Sequence, residues 1–321
     1  MNDTILELKD ISKFFAVKGG LFKCSSEYLK AVNGVNLSIR RGESLGLVGE
    51  SGCGKTTLAK IILNLYKPTS GKIFYNGEDI TALSKKEQMH LRTKIQIVFQ
   101  DPFSSLNPRM NIGDIIGEPL LIHSHMDRKE RMCAVHEVMD RVGLNTKHCK
   151  RYPHEFSGGQ RQRIMIAKAL ILKPEILVCD EAVSALDVSI QSQILNLLID
   201  LKKELNLTLV FISHNLTVVD YICDRIVVMY LGKIVEIAIR DELYANPMHP
   251  YVTALLSAIP IADPTHTSKR IILQGEVPSP VNPPRGCAFR NRCWNGDESC
   301  LEMPKLTEVR PDHFVACKKI R

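Results

Sequence analysis

Eight residues constrain the chain more than any others: Gly49-Glu50-Ser51-Gly52-Cys53-Gly54-Lys55-Thr56 match the pattern G-x-x-x-x-G-K-[ST]. That pattern works only between a buried strand and a helix. The apolar run Leu45-Gly46-Leu47-Val48 supplies the first, and Thr57 to Leu63 has the apolar spacing of the second. Glycines at 49, 52 and 54 let the backbone turn sharply and aim successive N–H groups at an anion lying on the positive end of the helix. Residues Gly49, Glu50, Ser51, Gly52, Cys53, Gly54, Lys55, Thr56 and Thr57 are therefore expected to cradle a nucleoside triphosphate. Lys55 would reach the β- and γ-phosphates, and the Thr56 hydroxyl would hold Mg²⁺.

Carboxylates suited to such a site follow the apolar run Ile176-Leu177-Val178-Cys179. Asp180 and Glu181 would stand at the carboxyl end of a buried strand, where open α/β sheets bind ligands. Asp180 suits Mg²⁺ and Glu181 suits an attacking water, a better reading for this pair than simple helix capping. Ser157-Gly158-Gly159-Gln160 opens a further helix whose first N–H groups form a second anion site. One chain has no evident use for two, but two chains head to tail could each offer this loop to the other's γ-phosphate. Gln100 and His214 also follow apolar strands; either alone would be an ordinary surface residue.

A chain of 321 residues with 45% apolar and 24% charged residues has the composition of a globular protein of two or three domains. Runs such as Leu207 to Ile212 are far below the ~18 apolar residues of a membrane span, and the N-terminus lacks an apolar signal segment, so a cytosolic or peripheral protein is expected. A net charge of +7 spread along the chain favours a solvated surface over nucleic-acid binding.

Alternation at Ile5 to Leu8 and Val35 to Ile39 predicts strands of a small antiparallel sheet, with a loop from Lys18 to Lys30 between them. Helical patterns run from Ile112 to about Tyr152, with Asp127 as an N-cap and Gly143 as a stop. Beyond them helix and strand alternate to about Val235, the pattern of a parallel sheet. The fold class is α/β: a RecA-like phosphate-loop NTPase core with an N-terminal antiparallel β subdomain, a helical subdomain inserted at about 101–165, and a loop-rich C-terminal extension. Domains are expected at 1–240 and 241–321.

Taken together, these motifs resemble those of ABC transporter ATP-binding subunits, in that family's order over about residues 5–240: phosphate loop, Gln100, the signature Ser157 to Gln160, Ile176 to Glu181, the loop Ser184-Ala185-Leu186-Asp187, and His214. Phe156 stands where leucine is usual and Ala182 where proline is common; neither change removes a reacting group. The resemblance implies ATP hydrolysis with catalytic residues Glu181, His214 and Gln100, and Mg²⁺ on Thr56, Asp180 and Gln100. It also implies a nucleotide contact from Asp187 and base stacking by Phe15, with Phe14 a competitor. Membrane subunits would dock near Gln100, Phe103 and Leu106. His249-Pro250-Tyr251, Gly275-Glu276-Val277-Pro278 and Gly286-Cys287-Ala288-Phe289-Arg290 resemble the extension of oligopeptide and dipeptide importer ATPases. Implied partners are a second, related ATPase, two integral membrane permease subunits and an extracytoplasmic binding protein; the implied location is the cytoplasmic face of the membrane. An importer of nickel or another small solute is the alternative, and a soluble nucleic-acid-associated ABC protein a more remote one.

Four of ten cysteines, Cys287, Cys293, Cys300 and Cys317, fall within the last 35 residues at C-x5-C-x6-C-x16-C spacing. Disulfides are disfavoured in the cytosol, and zinc usually takes closer pairs. The resemblance to importer tails implies a [4Fe–4S] cluster, with Zn²⁺ as the alternative. This segment reads as a loop-rich tail with little apolar material, far from the phosphate loop.

Overall fold

The computed structural model describes residues 4–17, 27–101, 105–259 and 270–320. Phe103 and most of the expected loop, 18–26, lie outside them. Strands β1 (Thr4–Val17), β2 (Glu27–Arg40) and β3 (Ser44–Val48) precede helix α1 (Lys55–Ile62). Then come β4 (Ser70–Tyr75), β5 (Glu78–Asp79), α2 (Lys85–Lys94), β6 (Ile95–Val98), α3 (Ile112–His123), α4 (Arg128–Arg141) and α5 (Gly158–Leu170). The remainder is β7 (Ile176–Asp180), α6 (Val188–Leu205), β8 (Thr208–Ile212), α7 (Leu216–Ile222), β9 (Arg225–Tyr230), β10 (Lys233–Ile239), α8 (Arg240–Ala245), α9 (Pro250–Ser257), β11 (Thr307–Arg310) and β12 (His313–Val315). Two compact units result: Met1–Arg40, Leu45–Thr81 and Ser213–Arg321 form one, Arg41–Ser44 and Ala82–Ile212 the other.

In the first unit the N-terminal antiparallel sheet has the order β2-β1-β4-β5. Its first two strands are longer than their alternating cores, because cross-strand pairing continues from Thr4 opposite Arg40 to Val17 opposite Glu27. Glu27 to Lys30, read above as loop, are therefore strand. No alternation of apolar and polar residues marks them, since a two-stranded ribbon satisfies its backbone by pairing rather than by an apolar face. β3 pairs in parallel with β9. The expected parallel alternation to Val235 does not hold beyond β9: Leu231 (φ 44°) and Gly232 (φ 75°) form a tight turn that returns β10 antiparallel.

The C-terminal extension is fastened to that hairpin. β12 pairs antiparallel with β10, and β11 with β12. Behind this join the fully buried Glu236 carboxylate accepts hydrogen bonds from Met248 N–H (3.0 Å) and His249 N–H (2.7 Å) and contacts His313 Nε2 (2.8 Å). Burial pushes the Glu236 pKa up, and the three contacts oppose that shift. His249 caps α9 through Nδ1, which accepts from Tyr251 N–H at 3.1 Å, and Pro250 at the first helical position needs no donor partner. The extension is not short of apolar packing. Phe289, 1% exposed, lies with its ring centroid 5.3 Å from Tyr230, 5.4 Å from Tyr251 and 5.7 Å from His249.

In the second unit β6, β7 and β8 are parallel, with Ile95 opposite Ile176 and Ile176 opposite Thr208. β7 is buried along its whole length, as its unbroken apolar run requires. Asn111 caps α3, and Asp127 caps α4 in a reciprocal box with Glu130. Leu106 is only 3% exposed, so as placed here it packs inward rather than forming the expected docking surface. No helix among the described residues is long and apolar enough to cross a membrane.

Candidate nucleotide-binding site

The phosphate loop joins β3 to α1 in the first unit. Gly54 has φ 107°, and a Cβ there would lie 2.1 Å from the Ala31 carbonyl oxygen, so both its conformation and its surroundings admit only glycine. Lys55 is 6% exposed, and its Nζ donates to the carbonyls of Gly49 (2.7 Å) and Glu50 (3.0 Å). These contacts hold the ammonium against the backbone of the loop. Cys53 beside it is buried, which raises its thiol pKa despite the nearby ammonium. Ser51, Gly52 and Thr56 are exposed, and Thr57 is half-buried on the first turn of α1.

Phe15 lies on β1 with its ring edge-on to Tyr66 (5.6 Å) and Lys13 Nζ 5.3 Å from its centroid. His214 is exposed, held between two fixed neighbours. Ser213 N–H donates to Leu47 O at 3.3 Å, and Asn215 caps α7.

Glu50 is gripped by residues that spacing did not reveal. Its N–H donates to the Tyr251 hydroxyl (2.9 Å), and its carboxylate receives Arg292 Nη1 at 2.9 and 3.2 Å and Nη2 at 3.3 Å. Arg292 also approaches the Tyr230 hydroxyl at 3.4 Å. The cysteine-bearing segment thus touches the phosphate loop, contrary to the expected separation. A pair 242 positions apart leaves no local trace in a single sequence.

In the second unit Asp180 ends β7 and is 9% exposed; Glu181 follows with φ 50°, the left-handed region that a glutamate enters at a cost of order 1–3 kcal/mol. Three contacts hold it there: Glu181 N–H donates to Ile212 O (3.0 Å), while Ser184 N–H (3.1 Å) and Oγ (3.0 Å) donate to Glu181 O. Gln100 Nε2 donates to Glu181 Oε2 at 2.8 Å, joining two residues 81 positions apart. Only the amide nitrogen can face a carboxylate, which fixes the orientation of Gln100.

Ser157 caps α5 in a reciprocal box with Gln160: Oγ accepts from Gln160 N–H (3.4 Å) and Ser157 N–H donates to Gln160 Oε1 (3.1 Å). The hydroxyl remains able to donate its own proton. A Cβ on Gly159 would lie 2.5 Å from Ile190 Cγ2, so glycine is required for α5 to approach α6. Asp187 precedes α6 without capping it by its side chain.

Cys287, Cys293, Cys300 and Cys317 form no disulfide. Cys287, Cys293, Cys300 and Cys317 share one neighbourhood: Cys287 feels the charge of the other three, and its N–H donates to Cys300 O at 2.9 Å. Burial chiefly raises the Cys287, Cys293 and Cys317 thiols, and proximity raises them further. Backbone N–H groups of Phe289, Asn295 and Lys319, each two residues on, counter this by hydrogen-bonding the sulfurs. Backbone donors of this kind are what thiolate ligands would use if a metal centre were bound. Among the described residues, however, no three His, Cys, Asp or Glu side chains gather where a single metal ion could sit.

Known proteins resemble this chain over both the core and the extension. Residues 32–184 match the ABC transporter family, and 235–300 the oligopeptide/dipeptide transporter C-terminal region. The oligopeptide transport ATP-binding protein AppF of Bacillus subtilis is 52% identical, with 98% of this chain and 97% of that one covered. A putative oligopeptide transport ATP-binding protein, YkfD of the same organism, is 54% identical over 91% and 90%. Among solved structures, cbiO1 of Clostridium perfringens, part of the cbiONQ ABC transporter complex, superposes with a TM-score of 0.66 at 29% identity, covering 76% of this chain and 92% of that one. The ATP-binding cassette MJ0796, as a dimer bound to ADP and Pi, gives 0.65 at 30%, covering 73% and 98%. The chain belongs to the ABC transporter family, as one of its ATP-binding subunits.

Proposed function

We propose that this chain hydrolyses ATP to drive import of dipeptides or oligopeptides through a membrane complex. The observation that carries this reading is 52% identity to an oligopeptide transport ATP-binding protein over both the ATP-binding core and the C-terminal extension. Two integral membrane permease subunits, a second and related ATPase, and an extracytoplasmic binding protein would complete the assembly, with this chain on the cytoplasmic face. The 1–240 and 241–321 division is retained as a functional one, ATP-binding core and importer extension.

In the proposed mechanism Gly49 to Thr57 bind the triphosphate, Lys55 exchanges loop carbonyls for β- and γ-oxygens, and Phe15 packs on the base. Ser157, Gly158, Gly159, Gln160 and Asp187 would meet the nucleotide held by the partner ATPase, closing a head-to-tail dimer. Thr56, Asp180 and Gln100 would hold Mg²⁺, which when bound neutralises charge on the phosphates. Glu181 accepts the proton of the attacking water, and His214 orients that water and the γ-phosphate. Glu181 is presented by a strained backbone and tied to Gln100 at 2.8 Å, so movement of Gln100 governs when the base is available. Cys287, Cys293, Cys300 and Cys317 would hold a [4Fe–4S] cluster that stabilises the extension. No hydrolytic step is assigned to it.

One preparation tests the proposal. The complex purified anaerobically from membranes through a tag on this chain should contain two permeases and a second ATPase. It should absorb broadly near 400 nm with about four irons per chain, and take up labelled tripeptide into vesicles only with ATP. Uptake of nickel but not peptide would replace the substrate assignment, and colourless protein would remove the cluster.

A further inference from the structure

Every polar group of Glu50 is engaged, and two of its partners belong to the C-terminal extension. Lys55 takes its carbonyl at 3.0 Å, Tyr251 its N–H at 2.9 Å, and Arg292 its carboxylate through both terminal nitrogens. The Arg292 side chain is 9% exposed and that of Glu50 27%, so this pair lies where water screens charge weakly. A carboxylate in a phosphate loop is electrostatically awkward, because the ligand is polyanionic and like charges repel. A planar guanidinium corrects this twice: its charge offsets the carboxylate, and its fork fixes the carboxylate's direction.

We infer that Arg292 is a positioning residue for nucleotide binding: through Glu50 it keeps the phosphate loop in its binding shape and holds the Glu50 charge away from the triphosphate. The inference rests on reading residues 49–56 as the ATP site. It makes the segment carrying Cys293 part of the nucleotide-binding apparatus and not merely a neighbour of it. Arg292 touches no reacting atom, so its contribution belongs to affinity.

The test is a double-mutant cycle on the full chain, with N-methylanthraniloyl-ATP as the fluorescent probe and thermal melting as a check on folding. Arg292→Ala should weaken probe binding on the order of tenfold and raise KM for ATP in parallel, leaving kcat at saturating ATP within about twofold. Arg292→Lys, which restores the charge without the fork, should recover part of the loss. In a Glu50→Gln background, which removes the charge to be neutralised, the cost of Arg292→Ala should shrink to below about twofold. Unchanged affinity in a destabilised Arg292→Ala chain, or an equal cost in both backgrounds, would overturn the inference. Should Arg292→Ala not fold, Arg292→Lys with and without Glu50→Gln gives a cycle on the fork alone, whose cost should likewise shrink in the Glu50→Gln background, and an equal cost in both would overturn the inference. Lys55→Ala separates the two levels: if it weakens binding while Arg292→Ala does not, the inference alone fails, and if neither weakens binding, the ATP-site assignment fails with it.

Discussion

The phosphate loop and the cysteine-bearing segment lie in the same compact unit, yet they take their shapes from different sources. Around Gly54 most of the shape is set locally, by a φ of 107° and a lysine bonded to carbonyls five and six residues back, with Tyr251 and Arg292 reaching in only at Glu50. Between Cys287 and Cys317 turns and two short 3₁₀ segments lead into the β11–β12 hairpin, and the segment is held by a ring cluster of Tyr230, Tyr251 and Phe289 and by an arginine reaching Glu50. A loop built from local constraints can be read from eight letters. A segment built from distant contacts can look like a tail and still be core.

Removing the ring that anchors the segment is the severest way to break this comparison. Phe289→Ala should cost about 3–5 kcal/mol of stability, the usual range for deleting a fully buried phenylalanine. Denaturant unfolding would read it directly, and a loss below about 1 kcal/mol would return the segment to the status of a loosely packed tail.

A smaller effect comes from pH. Burial pushes the His249 pKa down to about 4, against about 6.5 in an unfolded chain. As pH falls the unfolded chain therefore takes up the proton first. The contribution of His249 is fully present above pH 6.5 and is lost between 6.5 and 4, amounting to about 3 kcal/mol at the lower end. Protonation also removes the Nδ1 acceptor that caps α9. Glu236, raised by burial, acts with the opposite sign, contributing most when protonated and less as pH rises. His249→Gln isolates the histidine: stability should decline less steeply from pH 6.5 to 4 than in the unaltered chain, and identical slopes would remove His249 as the cause.

Elements whose patterns repeat over short distances were legible. The buried strands at 176–180 and 208–212, the cap at Asp127 and the strand-loop-helix around Lys55 all appear where periodicity and capping place them. Three features were not. The ribbon at Glu27–Lys30 owes its conformation to the strand opposite, not to its own side chains. The reversal after Tyr230 depends on Leu231 adopting a positive φ, which leucine does not advertise. Leu106 reads as a surface contact only if its 3% exposure is unknown. In the candidate site the motif residues could be named from the sequence, but the Gln100–Glu181 bond and the grip of Arg292 on Glu50 belong to tertiary structure and had no local signal.

The central claim is that Glu181 makes this chain an ATPase while the phosphate loop binds the nucleotide independently of it. Phosphate release and ATP affinity measured side by side for Glu181→Gln test that claim most directly. The account expects turnover to fall by about 10²–10⁴-fold with affinity within a few-fold of the unaltered chain; turnover within a few-fold would contradict it.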